Sequence, residues 1–181
     1  MKKIILAALV GGIIVFIWSA IAHMATPLGT MGISNLPNED AVMASLRANV
    51  PDSGMYWFPG ERPDHKEWEA KMKEGPSGLL FYTAGGGPMM HPKQLISELL
   101  TNIVAAFIAA SIVALIFAPY AKRVGVIVMM GVFGWVSLLL SYWIWYHFPT
   151  AYVLGEMVTE VVGWFLAGLA IAKIVPPRVA A

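Results

Sequence analysis

The sequence predicts an all-α membrane protein: a four-helix transmembrane bundle with a small α+β extracytoplasmic domain inserted between the first and second helices. Three observations carry that class. Of 181 residues, 58% are hydrophobic and 13% charged, where a soluble domain has about 25% charged, and mean hydropathy is +0.68. Four apolar stretches, residues 4–22, 95–117, 124–146 and 151–175, each approach or exceed the ~20 helical residues that cross about 30 Å of hydrocarbon. Residues 24–93, by contrast, hold eight of the twelve prolines and most of the charges.

Several classes are excluded at once. Twelve Lys and Arg against eleven Asp and Glu leave a net charge of +1, which gives no basic footprint for nucleic acid. The absence of cysteine removes disulfide-stapled modules and thiol chemistry, and the apolar composition removes disorder.

In chain order the sequence divides into a first transmembrane helix (1–23), the extracytoplasmic domain (24–93), a second helix (94–118), a cytoplasmic loop (119–123), a third helix (124–147), an outer turn with the fourth helix (148–175), and a cytoplasmic tail (176–181). Lipid satisfies no backbone groups, so each span must be helical. The first begins Met1-Lys2-Lys3 and contains Ala20-Ile21-Ala22, a pattern that a cleavable signal also shows. Its run is longer than the usual 7–15-residue core of such a signal, and Ala8, Gly11 and Gly12 suit helix packing, so it is read as a retained span.

Lys2 and Lys3, Lys122 and Arg123, and Lys173 and Arg178 all flank the same side of the predicted bundle, while the turn at 147–150 has no Lys or Arg. The positive-inside rule then makes both termini cytoplasmic. Trp143, Trp145, Tyr146, Phe148 and Tyr152 form an aromatic girdle at the outer interface.

Within the inserted domain, Asn38 is an N-cap candidate for a helix over 39–48 that Pro51 stops. Residues 54–58 and 78–83 are β-prone runs. Asp64 caps a second helix, with Glu67 three residues on and Glu67–Lys71 and Glu69–Lys73 at supportive spacing, before Gly75 ends it. Trp57, Phe58, Trp68 and Phe81 are the expected buried contacts of this domain, against the outer ends of the helices. Gly85-Gly86-Gly87 lacks the flanking residues of a phosphate loop and reads as a hinge.

Polar residues in the spans are few and gather in the outer half. His23 lies four residues after Ser19, Asn102 four after Glu98, and Glu160 four after Glu156, while His147 ends the third span below which Ser137 and Ser141 lie. The inner half offers no polar stations, so a conduit across the membrane by one protomer is disfavoured. His23, Glu98, Asn102, His147, Glu156 and Glu160 therefore form the candidate site. A carboxylate at the depth of Glu160 costs about 2.5–3.5 kcal/mol unless it finds a partner or takes a proton; His23, His147 and Asn102 are its expected partners.

This set admits a structural polar plug. It also admits a metal or haem site built from His23, His147, Glu156 and Glu160, or an outward cavity for a lipid, quinone or small amphiphile with acid–base chemistry. There is no HExxH. Met89-Met90-His91 resembles a copper ligand set but equally suits packing at a membrane entry. Ala105, Ala106, Ala109 and Ala110 on the second span, with Gly163, Ala167, Gly168 and Ala172 on the fourth, serve the fold, a homo-oligomer or a partner membrane subunit. The pattern favours an accessory or scaffold membrane protein with a polar core. The alternative is an outward-facing metal-, haem- or lipid/quinone-binding protein, with enzyme chemistry at the Glu/His cluster.

Trp18-x4-His23, Leu36-Pro-Asn-Glu39, the Gly54-x-Tyr-x-Phe-Pro-Gly60 turn, Gly75-Pro-x-Gly78 and Gly163-Trp-Phe-x-Ala-Gly168 together resemble a group of small, uncharacterised four-span inner-membrane proteins of bacteria. The resemblance covers most of the chain. It implies a bacterial inner-membrane location and brings no activity with it. The missing cysteines exclude a vitamin-K-epoxide-reductase-like redox enzyme, and the Glu-Arg and Asn pattern of glutathione-dependent four-span enzymes is absent.

Reporter fusions test the topology. A reporter at Gly60 is expected to signal from outside and one at the C-terminus from the cytoplasm; a cytoplasmic signal at Gly60 contradicts it.

Overall fold

A computed structural model of the chain describes residues 1–88 and 90–177; Met89 and Arg178, both invoked above, and most of the tail lie outside these residues. Six helices and two strands are formed among the described residues: α1 (Lys2–Ala25), α2 (Glu39–Asn49), β1 (Gly54–Phe58), α3 (His65–Glu74), β2 (Gly78–Tyr82), α4 (Pro92–Val113), α5 (Tyr120–Tyr146) and α6 (Thr150–Ile174). The described residues are mostly helical, and α1, α4, α5 and α6 are each long and apolar enough to cross a membrane. The chain separates into two units: residues 1–33, 90–144 and 148–181 in the first, and 34–89 with 145–147 in the second.

In the first unit, α1 packs along α4 and α6, and α6 packs along α5, all antiparallel, while α4 meets α5 and α6 only sparingly. The end marked by Ala25, Pro92, Ile144 and Thr150 is called upper below. Small residues set these contacts. A Cβ on Gly12 would stand 2.6 Å from the Ile103 backbone, and one on Gly11 2.7 Å from Ile171. Ala7, Ala106, Ala109, Ala110, Val113, Ile127, Ala167, Ile171 and Val175 form the buried core. The Ala and Gly stripes noted in the sequence are thus consumed by the fold, with Gly163, Gly168 and Ala172 also buried and Ala105 left partly open.

Indole N–H groups tie the helices to one another's backbone. Trp18 Nε1 donates to the Thr159 carbonyl at 2.9 Å, and Trp135 Nε1 to the Val153 carbonyl at 2.9 Å. Where the turn joins α5 to α6, Trp143 Nε1 donates to Thr150 Oγ1 at 3.1 Å, and Tyr142, Phe148 and Tyr152 stack in sequence at 5.4 and 5.7 Å. In hydrocarbon a carbonyl has no water to turn to, so such bonds are retained.

Three expectations about the spans change. The second ends at Val113 rather than 117, because the chain tightens into i→i+3 bonds at Leu115 and Ile116 and Pro119 cannot continue a helix. Arg123, assigned to a loop, is 4% exposed inside α5; its Nη1 donates to the Val175 carbonyl, closing the C-terminus of α6. The third span is interrupted by a π turn at Trp135–Leu139.

The second unit is a β1–β2 antiparallel hairpin with register Gly54↔Tyr82 to Phe58↔Gly78, together with α2 and α3. Asp64 caps α3 as expected, accepting from Lys66 and Glu67 N–H. Asn38 does not cap α2 with its side chain; it adopts φ 53 and its carbonyl takes the first bonds instead. Glu67 pairs with Arg62 and Lys71, whereas Glu69 pairs with His65 rather than Lys73. The four aromatics expected to be buried are not: Phe81 is 67% exposed, Trp57 and Phe58 about two-fifths exposed, and Trp68 half-buried with its Nε1 on the Pro59 carbonyl. A two-stranded hairpin with two short helices has too little surface to enclose four large rings.

Gly12→Ala is expected to lower stability in detergent by about 1–3 kcal/mol, because backbone atoms of α4 must move. Gly125→Ala, which meets open space, is expected to raise it slightly through helix propensity. Thermal unfolding of the two variants checks the pair.

Candidate functional site

α1, α4 and α6 bring their polar residues to one level near the upper end of the first unit. His23 Nδ1 lies 2.9 Å from the Ser19 carbonyl, one helical turn back. That bond turns its Nε2 to within 3.4 Å of Glu156 Oε1. Asn102, 8% exposed, donates from Nδ2 to Glu98 Oε1 at 3.1 Å along α4. Glu160 accepts at Oε2 from Trp164 Nε1 at 2.9 Å.

The sequence therefore named the residues but not the pairs. Glu160 was expected to bond His23, His147 or Asn102; each of the first unit's two is engaged by another glutamate, and Glu160 uses the indole one turn along its own helix. The signal in the sequence that points to this is Glu160-x3-Trp164, an i, i+4 spacing. His147 belongs to the second unit and ends α5 at φ 55. His91 is the N-cap of α4 in a capping box with Gln94: its Nδ1 accepts from Lys93 N–H and its own N–H donates to Gln94 Oε1. Among the described residues no group of three His, Asp or Glu stands close enough to hold a metal ion.

Two spaces meet at Glu160. On one side is a small polar chamber of about 40 Å³ among α1, α4 and α6, lined by Trp18, Ser19, Glu98, Asn102, Thr159 and Glu160. It has room for a water molecule. On the other is an open, largely apolar cleft in two lobes that share Glu160 and Gly134. The first lobe, about 250 Å³, lies between Ala105 and Ile108 of α4 and Met130, Gly131 and Gly134 of α5, with Trp164 on its floor. The second, about 230 Å³, is lined by Trp135, Leu138, Leu139 and Glu156.

The cleft has a structural origin. α6 holds α5 through Gly131, whose absent Cβ leaves the place of the Trp164 ring. α4 is held chiefly by α1, on the far side of α6, and the two helices do not close over Glu160, which remains exposed. The π turn lies at the second lobe and supplies Trp135, Leu138 and Leu139 to it. Its looser backbone engages Ser137, whose hydroxyl donates to the Gly134 carbonyl at 3.3 Å. π turns are frequent at ligand sites.

Four long apolar helices with a carboxylate at the floor of a lateral cleft fit a multi-pass membrane protein. No protein-family model, no curated protein and no solved structure matches the chain.

Proposed function

We propose that this chain is a multi-pass protein of the bacterial inner membrane, with both termini cytoplasmic and residues 24–93 outside, whose cleft takes up a small amphiphile from the bilayer. The observation that carries the reading is the cleft itself: two lobes totalling several hundred Å³, apolar on their walls and polar at one point, Glu160. Small-molecule sites have this make-up and this scale. With α1, α4, α5 and α6 spanning the bilayer, the mouth between α4 and α5 faces acyl chains, so an apolar ligand enters sideways without crossing water.

The polar chamber beside Glu160 supports the same reading. It gives the carboxylate a second, wetter face towards Glu98 and Asn102, where a water molecule can exchange a proton with it. Under this orientation the chamber lies in the outer leaflet. The accessory or scaffold reading draws on the same surface, since Ala105, Gly131 and Gly134 are small enough for a partner helix to approach. The carboxylate favours the ligand, because a partner helix alone gains nothing from an acid under its apolar face.

Gly134 separates these readings. It lines both lobes, has helical φ −59 and ψ −47, and nothing stands within 4 Å of a Cβ placed on it. Gly134→Leu therefore puts a branched side chain into the cleft from a position whose Cβ meets open space. Mass spectrometry of the protein extracted in mild detergent is expected to show a bound amphiphile in the native chain and none in Gly134→Leu. A native chain that carries no amphiphile, with a stoichiometric protein partner in its place, contradicts the proposal.

A further inference from the structure

We infer that the occupant of the cleft is an amphiphilic cation, an alkylammonium-type molecule whose charged nitrogen sits against Glu160; this rests on the cleft being a ligand site. Apart from Lys93 at the upper end of α4, the charge inventory of the first unit's helices is one-sided. Glu98, Glu156 and Glu160 all stand at the upper level, and the ion pair formed there among the described residues is His23 with Glu156. Lys2, Lys3, Lys122 and Lys173 are at the opposite end of the helices, Arg123 is committed to the Val175 carbonyl there, and Lys93 lies in the first turn of α4. Among the described residues no cation is paired with Glu160.

Trp164 satisfies one carboxylate oxygen of Glu160, Oε2, and Oε1 has no donor among the described residues. A neutral donor on one oxygen leaves most of the lone-pair capacity of a carboxylate unused, and an ammonium carries three donors. Glu156 lines the second lobe one turn away, so the nitrogen meets two carboxylates rather than one. The indoles favour a cation as well. Trp164 is fixed by its bond to Glu160 and Trp135 by its bond to Val153, and a cation near an indole face gains further attraction. Ile108, Met130, Leu138 and Leu139 accept the alkyl chain. A second copy of this chain cannot supply the charge from within its membrane helices, because its Lys and Arg fall at their ends in the same way.

The test uses the full chain in phosphatidylcholine nanodiscs at neutral pH and three probes of equal chain length: decylamine, decanol and decanoate. Decylamine is cationic there. Tryptophan fluorescence titrations are read against Gly134→Leu, which removes binding to the cleft and leaves partition into lipid. A charge-assisted pair predicts decylamine binding about tenfold or more tighter than decanol, with decanoate weaker than both. Glu160→Gln, which keeps the shape and an acceptor for Trp164, is expected to lose that preference while still binding decanol, and Glu156→Gln to lose part of it. Equal affinity for amine and alcohol overturns the inference but leaves the cleft as a neutral-ligand site, as does an amine preference that survives in Glu160→Gln. If the native chain binds none of the three above the Gly134→Leu background, the ligand-site reading falls with it.

Discussion

The close approach of α1 to α6 is the constraint from which the other features follow. Lipid tails are as apolar as the helices they surround, so burial of apolar surface does not drive these helices together; contact area and hydrogen bonds must. Gly11 takes the side chain of Ile171, Gly163 takes the indole edge of Trp18, and Gly155 faces Met31. With those three positions small, Trp18 reaches the Thr159 carbonyl, and the two backbones are locked at the level where the polar residues lie.

Once α1 and α6 form that pair, the remaining helices have one good side each. α4 takes α1, through Gly12 against Ile103, and α5 takes α6, through Gly131 under Trp164 and Gly168 against Ile127. Neither arrangement brings α4 fully onto α5, which it meets only sparingly. The gap between them is a consequence of packing, and its floor is the face of α6 that carries Glu156 and Glu160. Two of the three carboxylates have found partners, Glu156 in His23 across to α1 and Glu98 in Asn102 along α4. Glu160, on the cleft side, has an indole from its own helix and an open mouth in front of it. An intramembrane carboxylate left so lightly partnered is costly unless it serves a ligand or a proton.

Much of this was legible in the sequence, and the part that was not has a common cause. Length and hydropathy located four helices within a few residues, because a bilayer imposes a minimum run that composition displays directly. Asp64, Gly75 and the two β-prone runs were legible because caps and turns are local. The level of His23, Glu98, Asn102, Glu156 and Glu160 followed from antiparallel spans. The pairing of His23 with Glu156 did not, because it depends on the rotation of α1 and α6 about their axes, which Gly11 and Gly163 set through contacts far apart in sequence. Glu98–Asn102 and Glu160–Trp164 are i, i+4 pairs along one helix, open to the sequence by spacing alone. Arg123 was misread for a related reason: a flank charge and a helix-capping guanidinium look alike until the neighbouring C-terminus at Val175 is in place. The exposed rings of the hairpin unit were misjudged because hydrophobicity alone says what prefers burial, not whether enough chain exists to provide it.

The central claim is that α4 and α5 leave a bilayer-facing cleft above Glu160, and one measurement addresses it directly. The chain has no cysteine, so a single nitroxide can be placed at Gly134→Cys, with Phe133→Cys as the outward reference (Phe133 is 72% exposed) and Ala109→Cys as the buried one (0%). In bilayers, collision of the label with dissolved oxygen, measured by power saturation, is predicted to be close to that at position 133. A value at position 134 as low as that at position 109 would show the two helices closed on each other, and would contradict the account.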